Sequence, residues 1–338
     1  MAILVFRPTI KRRDMDRVLT CMISDRLGPG VLSSELASGL ASYLGIAGGI
    51  ACANYHTALG MALDVLGLNS GDKIVFSALS PTLYLDVCKG KGLVPLVADV
   101  DEDSGVIAVE SVRRLLGQSP RALLVHYTLG YIPDMDELSD LGIPLIEDLS
   151  QGLGGNWGTR RCGSFGDLVI LSLGPQSVIT SGDGGMVLTG KRGQLRQLRE
   201  LKATSDCILS DFNASLGLAQ MREIETFISA RGEIARVFSR SLMKSRHKTL
   251  MQKGEGDNVY YSFPVLLQSS MKEVQQYSRK RDVDTHPAFK DSVVVIEGSD
   301  CDCPNAKRLA LCCLLFPCYP MLVKKNIEII SKVLSTLP

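Results

Sequence analysis

Residues 162–189 read CGSFGDLVILSLGPQSVITSGDGGMVLT. Two short apolar runs, DLVILSL and GMVLTG, enclose a polar loop that carries Gly174, Gly182 and Gly184. Both runs are apolar throughout rather than alternating, which is the pattern of strands covered on both faces of an α/β sheet. In such a sheet, ligands collect at the carboxyl ends of strands, so the loop between the runs is a place to look for chemistry.

The same texture extends outward. The runs KIVFSAL, LVPLVADV, RALLVHYTL and IPLIEDL precede the quoted stretch, separated by helical or turn segments. In SSELASGLASYLGI, Leu36, Leu40, Tyr43 and Leu44 recur at helical spacing, with Gly45 placed to end the helix. HTALGMALDVLGL puts Ala58, Met61, Ala62, Val65 and Leu66 on one face, and the segment 69–72 stops it. The segments SVRRLLGQ and DMDELSDL supply further crossovers. Near residue 220 the pattern changes to a long amphipathic helix, EIETFISARGEIARVFSRSLM, followed by a strand signal in VYYSFPVLLQ. The expected organisation is a large domain over residues 1–222 and a smaller C-terminal α+β domain over residues 223–338.

Bulk properties exclude several classes. Among 338 residues, 37 Lys plus Arg face 36 Asp plus Glu, so a net charge of +1 supplies no long-range field for nucleic acid or anionic membrane. No apolar run approaches a membrane span, and at the N-terminus the apolar stretch precedes the basic residues, the reverse of a secretory signal; the cytoplasm is the expected compartment. Ten cysteines in a chain of this length do not make a small disulfide framework and fit a reducing compartment. The Cys301-Asp-Cys303 and Cys312-Cys313 pairs lack metal-ligand spacing and a nearby histidine, so no metal is expected.

Residues just after the apolar runs are the site candidates: Ser77 to Pro81, His126 with Tyr127, Glu147, Asp148 and Gln151, and Ser172 to Ser177. Glu147 and Asp148 are strand neighbours and point to opposite faces, so only one of them can face a site.

IEDLSQGLGG and the quoted stretch together resemble the DegT/DnrJ/EryC1/StrS sugar aminotransferases, pyridoxal-phosphate enzymes of fold type I. The family pattern S-x-x-P-x-K-x-x-T-x-G-[ED]-G-G is matched here by Ser172, Pro175, Thr180, Gly182, Asp183, Gly184 and Gly185. Its lysine is replaced by Ser177. The segments YLGI, LGLNSGDKIVFSA, VPLVADVDEDSGVI, VHYTLGYIPDMDEL, LSDFNASLGLAQM, CPNAKRLA and LFPCYPML resemble the family in the same order, so the resemblance spans nearly the whole chain.

This resemblance implies an α/β fold of the fold type I transferase kind: a large three-layer αβα domain with a mainly parallel mixed sheet, plus a smaller C-terminal α+β domain. It implies that Asp148 corresponds to the aspartate that pairs with the cofactor's pyridine nitrogen, Gln151 to the glutamine beside the ring, and Ser172 to a phosphate-binding serine. His286 resembles the small-domain histidine that closes over the sugar site. Elsewhere the chain departs from the pattern. The family's phosphate-binding Ser-Gly-Thr falls on Asn54-Tyr55-His56, where a tyrosine would crowd the phosphate; the ring-stacking aromatic falls near Ser80-Pro81; and the Asn-Tyr-Arg offered by a neighbouring subunit falls on Asp206-Cys207-Ile208.

Ser177 has no adjacent base to make its hydroxyl reactive. With no catalytic residue in the lysine's place, the expectation is a homologue without transaminase activity, serving as a binding or subunit protein in nucleotide-sugar or polysaccharide biosynthesis. It is expected as a homodimer or paired with an active paralogue, with a nucleotide-sugar as a candidate ligand. The alternative is a working aminotransferase, or a pyridoxamine-phosphate-dependent dehydratase, acting on a nucleotide-linked keto-sugar through a rearranged site. The glycines at 182–185 are expected to serve a tight turn rather than an anion nest, and Arg160 with Arg161 a solvated turn.

Overall fold

The computed structural model describes residues 2–203, 206–298 and 302–338; Cys301, half of the Cys301-Asp-Cys303 pair, lies outside them. Seven strands make the main sheet: β1 (Gly48–Cys52), β2 (Lys73–Ser77), β3 (Val94–Ala98), β4 (Ala122–His126), β5 (Leu145–Asp148), and two that follow a short hairpin. That hairpin is β6 (Asn156–Trp157) with β7 (Arg160–Arg161), and the last sheet strands are β8 (Leu168–Ser172) and β9 (Gly185–Thr189). Their order is β1-β9-β8-β5-β4-β2-β3, and β9 alone runs against the others, antiparallel to both neighbours. The quoted stretch is therefore the one place where this parallel sheet turns back on itself.

Strand alternation sends successive side chains to opposite layers. Val75, Leu123, Val125, Val169 and Leu171 pack under the helices Val31–Leu44 and Asp211–Met221, whereas Ile74, Phe76, Leu124, Ile146 and Ile170 pack under Tyr55–Val65 and Leu83–Gly90. The result is the expected three-layer αβα architecture, its long apolar runs explained by cover on both faces. Gly45 ends the helix Val31–Leu44 in a left-handed conformation, φ 72°, with its N–H on the last carbonyls, as its position in the sequence predicts.

A second, three-stranded antiparallel sheet, β10 (Phe263–Leu266), β12 (Cys313–Phe316) and β11 (His286–Pro287), has the order β10-β12-β11. The long helix Ile224–Leu242 and the helix Lys324–Ser335 cover it through Phe238, Phe263, Phe316 and Ile330. Arg231, 4 % exposed, sits inside with its guanidinium donating to the carbonyls of Tyr261 and Cys318 at 2.7 and 2.8 Å. In this sheet β11 places His286 at a cleft that adjoins the carboxyl ends of the main strands.

Among the described residues no helix is long and apolar enough to cross a membrane, and no group of three or more His, Cys, Asp or Glu could hold a metal ion. Arg161 corrects the solvated-turn expectation: it donates to Gly154 O at 2.7 Å and to Tyr43 Oη at 3.1 Å, and pairs with Glu225 at 3.0 Å. Arg160 stacks over the Phe165 ring, 3.8 Å from its centre. Hairpin β6–β7 thus ties the sheet's helices to the long helix that follows.

Candidate functional site

Parallel strands β4 and β5 pair His126 with Asp148 at their carboxyl ends, so both side chains leave the same edge of the sheet. Asp148 is fully buried, which by itself would raise the pKa of its carboxyl; hydrogen bonds from His126, Ser150 and Tyr55 more than offset this and hold it below the usual value. Oδ1 accepts the N–H and the hydroxyl of Ser150, at 2.9 and 2.5 Å. Oδ2 accepts Tyr84 Oη at 2.5 Å, Nδ1 of His126 at 2.9 Å, and the hydroxyl of Tyr55. Five donors, three of them on Oδ2, already exceed the about four lone-pair sites a carboxylate offers, so a further partner would have to replace one of them.

The two tyrosines are held neutral. Burial, and then the charge of Asp148, push both phenols well above their usual range. They come from different elements: Tyr55 opens the helix Tyr55–Val65, whose cap Asn54 accepts Thr57 N–H at 2.8 Å, and Tyr84 lies on Leu83–Gly90, edge-on to Phe76 and to His126.

Glu147 points to the other face, as strand geometry requires. It accepts Tyr127 Oη at 2.6 Å and the N–H groups of Gly163, Phe165 and Gly166 at 2.7, 2.8 and 2.6 Å. Its role is to anchor the turn that leads into β8.

The loop after β8 satisfies itself. Ser177 Oγ lies 3.3 Å from Ser172 Oγ, Ser177 N–H donates to Gly174 O at 3.1 Å, and Ser181 N–H closes the loop onto Leu173 O at 2.9 Å. Ser172 N–H donates to Ser150 Oγ at 2.8 Å, which links the loop to the Asp148 network. Gly182 and Gly184 take positive φ, 89° and 144°, in the tight turn into β9, and Asn213 Nδ2 donates to Ser181 O at 2.7 Å beside it.

An open cleft of about 240 Å³ adjoins this network, between the strand ends and β11. His126, Gln151, Gln176, His286 and Lys290 bring polar groups to it, and Phe6, Tyr261 and Phe289 contribute apolar wall. Gln151 fixes its side chain by accepting Leu129 N–H at 2.6 Å, and His286 lies 3.2 Å from the Asp284 carboxylate. Of the sequence candidates, Pro81, His126, Gln151 and His286 line the cleft, while Asp148 and Ser172 do not, and Asp148 is closed off by its own partners. The hydroxyls of Tyr55 and Tyr84 both lie on the Asp148 carboxylate, Tyr84 fully buried and Tyr55 partly so.

Sequence reading passed over Tyr84 as a partner of Asp148, Ser150 as its second donor, and Lys290. For Ser150 there was a signal, since a serine two residues after an aspartate is an Asx-type arrangement. A larger concavity of about 1000 Å³ lies between the helix Arg12–Ile23, the turn at Gly28 to Gly30 and Asp211–Met221. There Arg13, with Lys11 beside it, pairs with Glu223, and Asp211 accepts Ser33 N–H, while the smaller cleft lies at the carboxyl ends of the strands, where ligands of open α/β sheets collect, and is the candidate site.

The sheet order with its single reversed strand, the three layers and the site at the strand ends define a fold type I aminotransferase architecture. The chain belongs to the DegT/DnrJ/EryC1/StrS aminotransferase family, whose model matches residues 8–335. It is 24% identical over 259 residues to the GDP-perosamine synthase of Caulobacter vibrioides, covering 71% of this chain and 70% of that one. A dTDP-4-dehydro-2,3,6-trideoxy-D-glucose 4-aminotransferase of Saccharopolyspora spinosa is 24% identical, with 96% and 94% covered. Among solved structures, Spr1654 of Streptococcus pneumoniae in its PLP form superposes with a TM-score of 0.91 at 17% identity, covering 99% and 98% of the two chains.

The family is pyridoxal-phosphate dependent, but the residues present here do not fit the cofactor. Asp148 has no free acceptor for a pyridinium, Tyr55 stands at the head of the helix where a phosphate would need open backbone, and Ser177 offers no amine.

Proposed function

We propose that this chain is a sugar-aminotransferase homologue without transaminase activity, which acts as a binding or subunit protein in nucleotide-sugar or polysaccharide biosynthesis. The observation that carries the reading is the closed hydrogen-bond set around Asp148, with both phenols and His126 on one oxygen. An aminotransferase needs that oxygen for its cofactor and an amine nearby to hold the cofactor covalently. A serine hydroxyl facing another serine supplies neither.

What remains is a preformed cleft with two histidines, two glutamines and a lysine around an aromatic wall, suited to a polar ligand with several hydroxyl groups. A subunit role, as a homodimer or beside an active paralogue, is part of the same proposal.

One feature favours a second reading. Lys290 lines the cleft, its Nζ 3.7 Å from the Asp291 carboxylate, so an amine other than one at position 177 is present. If the chain were a working aminotransferase or dehydratase with a rearranged site, Lys290 would be its covalent anchor or base.

The test is absorbance of the purified protein with and without pyridoxal phosphate, then borohydride reduction, intact mass and peptide mapping. An unchanged spectrum and mass are expected. A reduced adduct mapped to Lys290 would overturn the proposal in favour of the second reading.

A further inference from the structure

Tyr55 differs from the other donors to Asp148. Tyr84, His126 and Ser150 are 0, 2 and 9 % exposed. Tyr84 is further fixed edge-on against Phe76 at 5.5 Å and His126 at 6.4 Å between ring centres. Tyr55, by contrast, is only partly buried and packs at the rim of its hydrophobic cluster. It is also the first residue of its helix, where its own N–H has no intrahelical acceptor and where the cap is made by Asn54.

We propose that the Tyr55 side chain is a built-in occupant of the cofactor pocket, a six-membered aromatic ring whose O–H takes the place of a protonated pyridine nitrogen on Asp148, and the one residue that keeps this pocket closed. The inference rests on the reading given under the proposed function and adds the cause of exclusion. Three points support it. A phenol and a pyridinium are rings of similar size, each presenting a single donor to a carboxylate. The phenol remains protonated, because burial and the Asp148 charge push it well above its usual range, so it donates at every physiological pH. Behind it, the remaining scaffold is intact: Asp148 keeps His126, Tyr84 and both Ser150 bonds without Tyr55.

Removing the ring should therefore open a slot that ends on Asp148 and begins at a helix N-terminus, a combination that accepts an aromatic heterocycle bearing a phosphate. The probe is pyridoxamine 5′-phosphate, which needs no lysine. Its binding to wild type, Tyr55→Gly and Tyr55→Phe is measured by equilibrium dialysis and by the circular dichroism induced in the cofactor band. Tyr55→Gly is expected to bind about tenfold more tightly than wild type or better. Tyr55→Phe, which loses the hydroxyl and keeps the ring, is expected to bind no better than wild type.

A folded Tyr55→Gly that, like wild type, shows no binding of the cofactor overturns this inference and leaves the proposed function standing. Wild type that binds the cofactor measurably and as tightly as Tyr55→Gly overturns both. Equal gains for the phenylalanine and glycine variants assign the exclusion to the hydroxyl and overturn the claim for the ring. Should the glycine variant not fold, Tyr55→Ser carries the same comparison, since serine is well tolerated in the first turn of a helix.

Discussion

Tyr84 Oη donates to Asp148 Oδ2 at 2.5 Å, joining residues 64 positions apart, while Nδ1 of His126 reaches the same oxygen at 2.9 Å. A fully buried carboxylate stays ionised only if its partners are this complete. The network therefore serves stability whether or not a ligand visits it.

Replacing Asp148 with alanine should leave two phenols, a serine and a histidine without their acceptor. A loss of about 2–4 kcal/mol is expected, as for other buried acceptors with several donors. Urea titration of the variant against wild type reads it, and a change of less than about 0.5 kcal/mol, the scale of an ordinary surface substitution, would show the network to be marginal.

Glu147 makes a separate prediction on the opposite face. Glu147→Ala removes the acceptor of Tyr127 and of three backbone donors in one turn, Gly163, Phe165 and Gly166. Global stability should fall by about 3 kcal/mol or more. Amide exchange at residues 163–166 should quicken more than at the neighbouring strands, and uniform quickening would contradict the anchoring role.

His247 sets a pH window. Its Nδ1 accepts Gln268 N–H at 3.0 Å and its Nε2 lies 3.0 Å from Pro338 O. Burial lowers its pKa below the usual 6.5, the contact with Pro338 opposes this, and the neighbouring charge of Arg246 adds to the lowering. The unfolded chain thus takes up this proton at higher pH than the native one. Its stabilising contribution is present above pH 6.5 and is lost as pH falls through the lower native value. Denaturation midpoints measured between pH 7.5 and 5 should drop less for His247→Gln than for wild type, and parallel curves would remove His247 from the pH response.

The fold was legible because the runs of β8 and β9 carry successive apolar residues, Leu168 to Leu171 and Met186 to Leu188, as strands covered on both faces do. Gly45 marked a helix end through its backbone freedom, and that mark is local. Tyr55 could be read as an obstruction, since a ring in place of a glycine has a definite size. What it obstructs with, and onto which atom it donates, depended on a strand and a helix brought together from distant segments, as did the arrival of Tyr84. Arg161 was misread for the same reason: its partners Tyr43 and Glu225 lie 118 and 64 residues away. Lys290 gave no signal, because a lysine in a polar segment is ordinarily a solvated one.

Ser177→Lys is the remaining test of the site. A lysine restored to the loop after β8 would bring an amine near Ser172, whose hydroxyl now faces Ser177 at 3.3 Å. The amine alone should not suffice, because covalent capture of an aldehyde requires the ring to be seated first, and Tyr55 occupies that seat. Ser177→Lys is therefore expected to give no borohydride-stable adduct at position 177 with pyridoxal phosphate, whereas Ser177→Lys combined with Tyr55→Gly is expected to give one. Intact mass followed by peptide mapping separates the two, and an adduct at position 177 in the single variant would mean that the lysine alone had been missing.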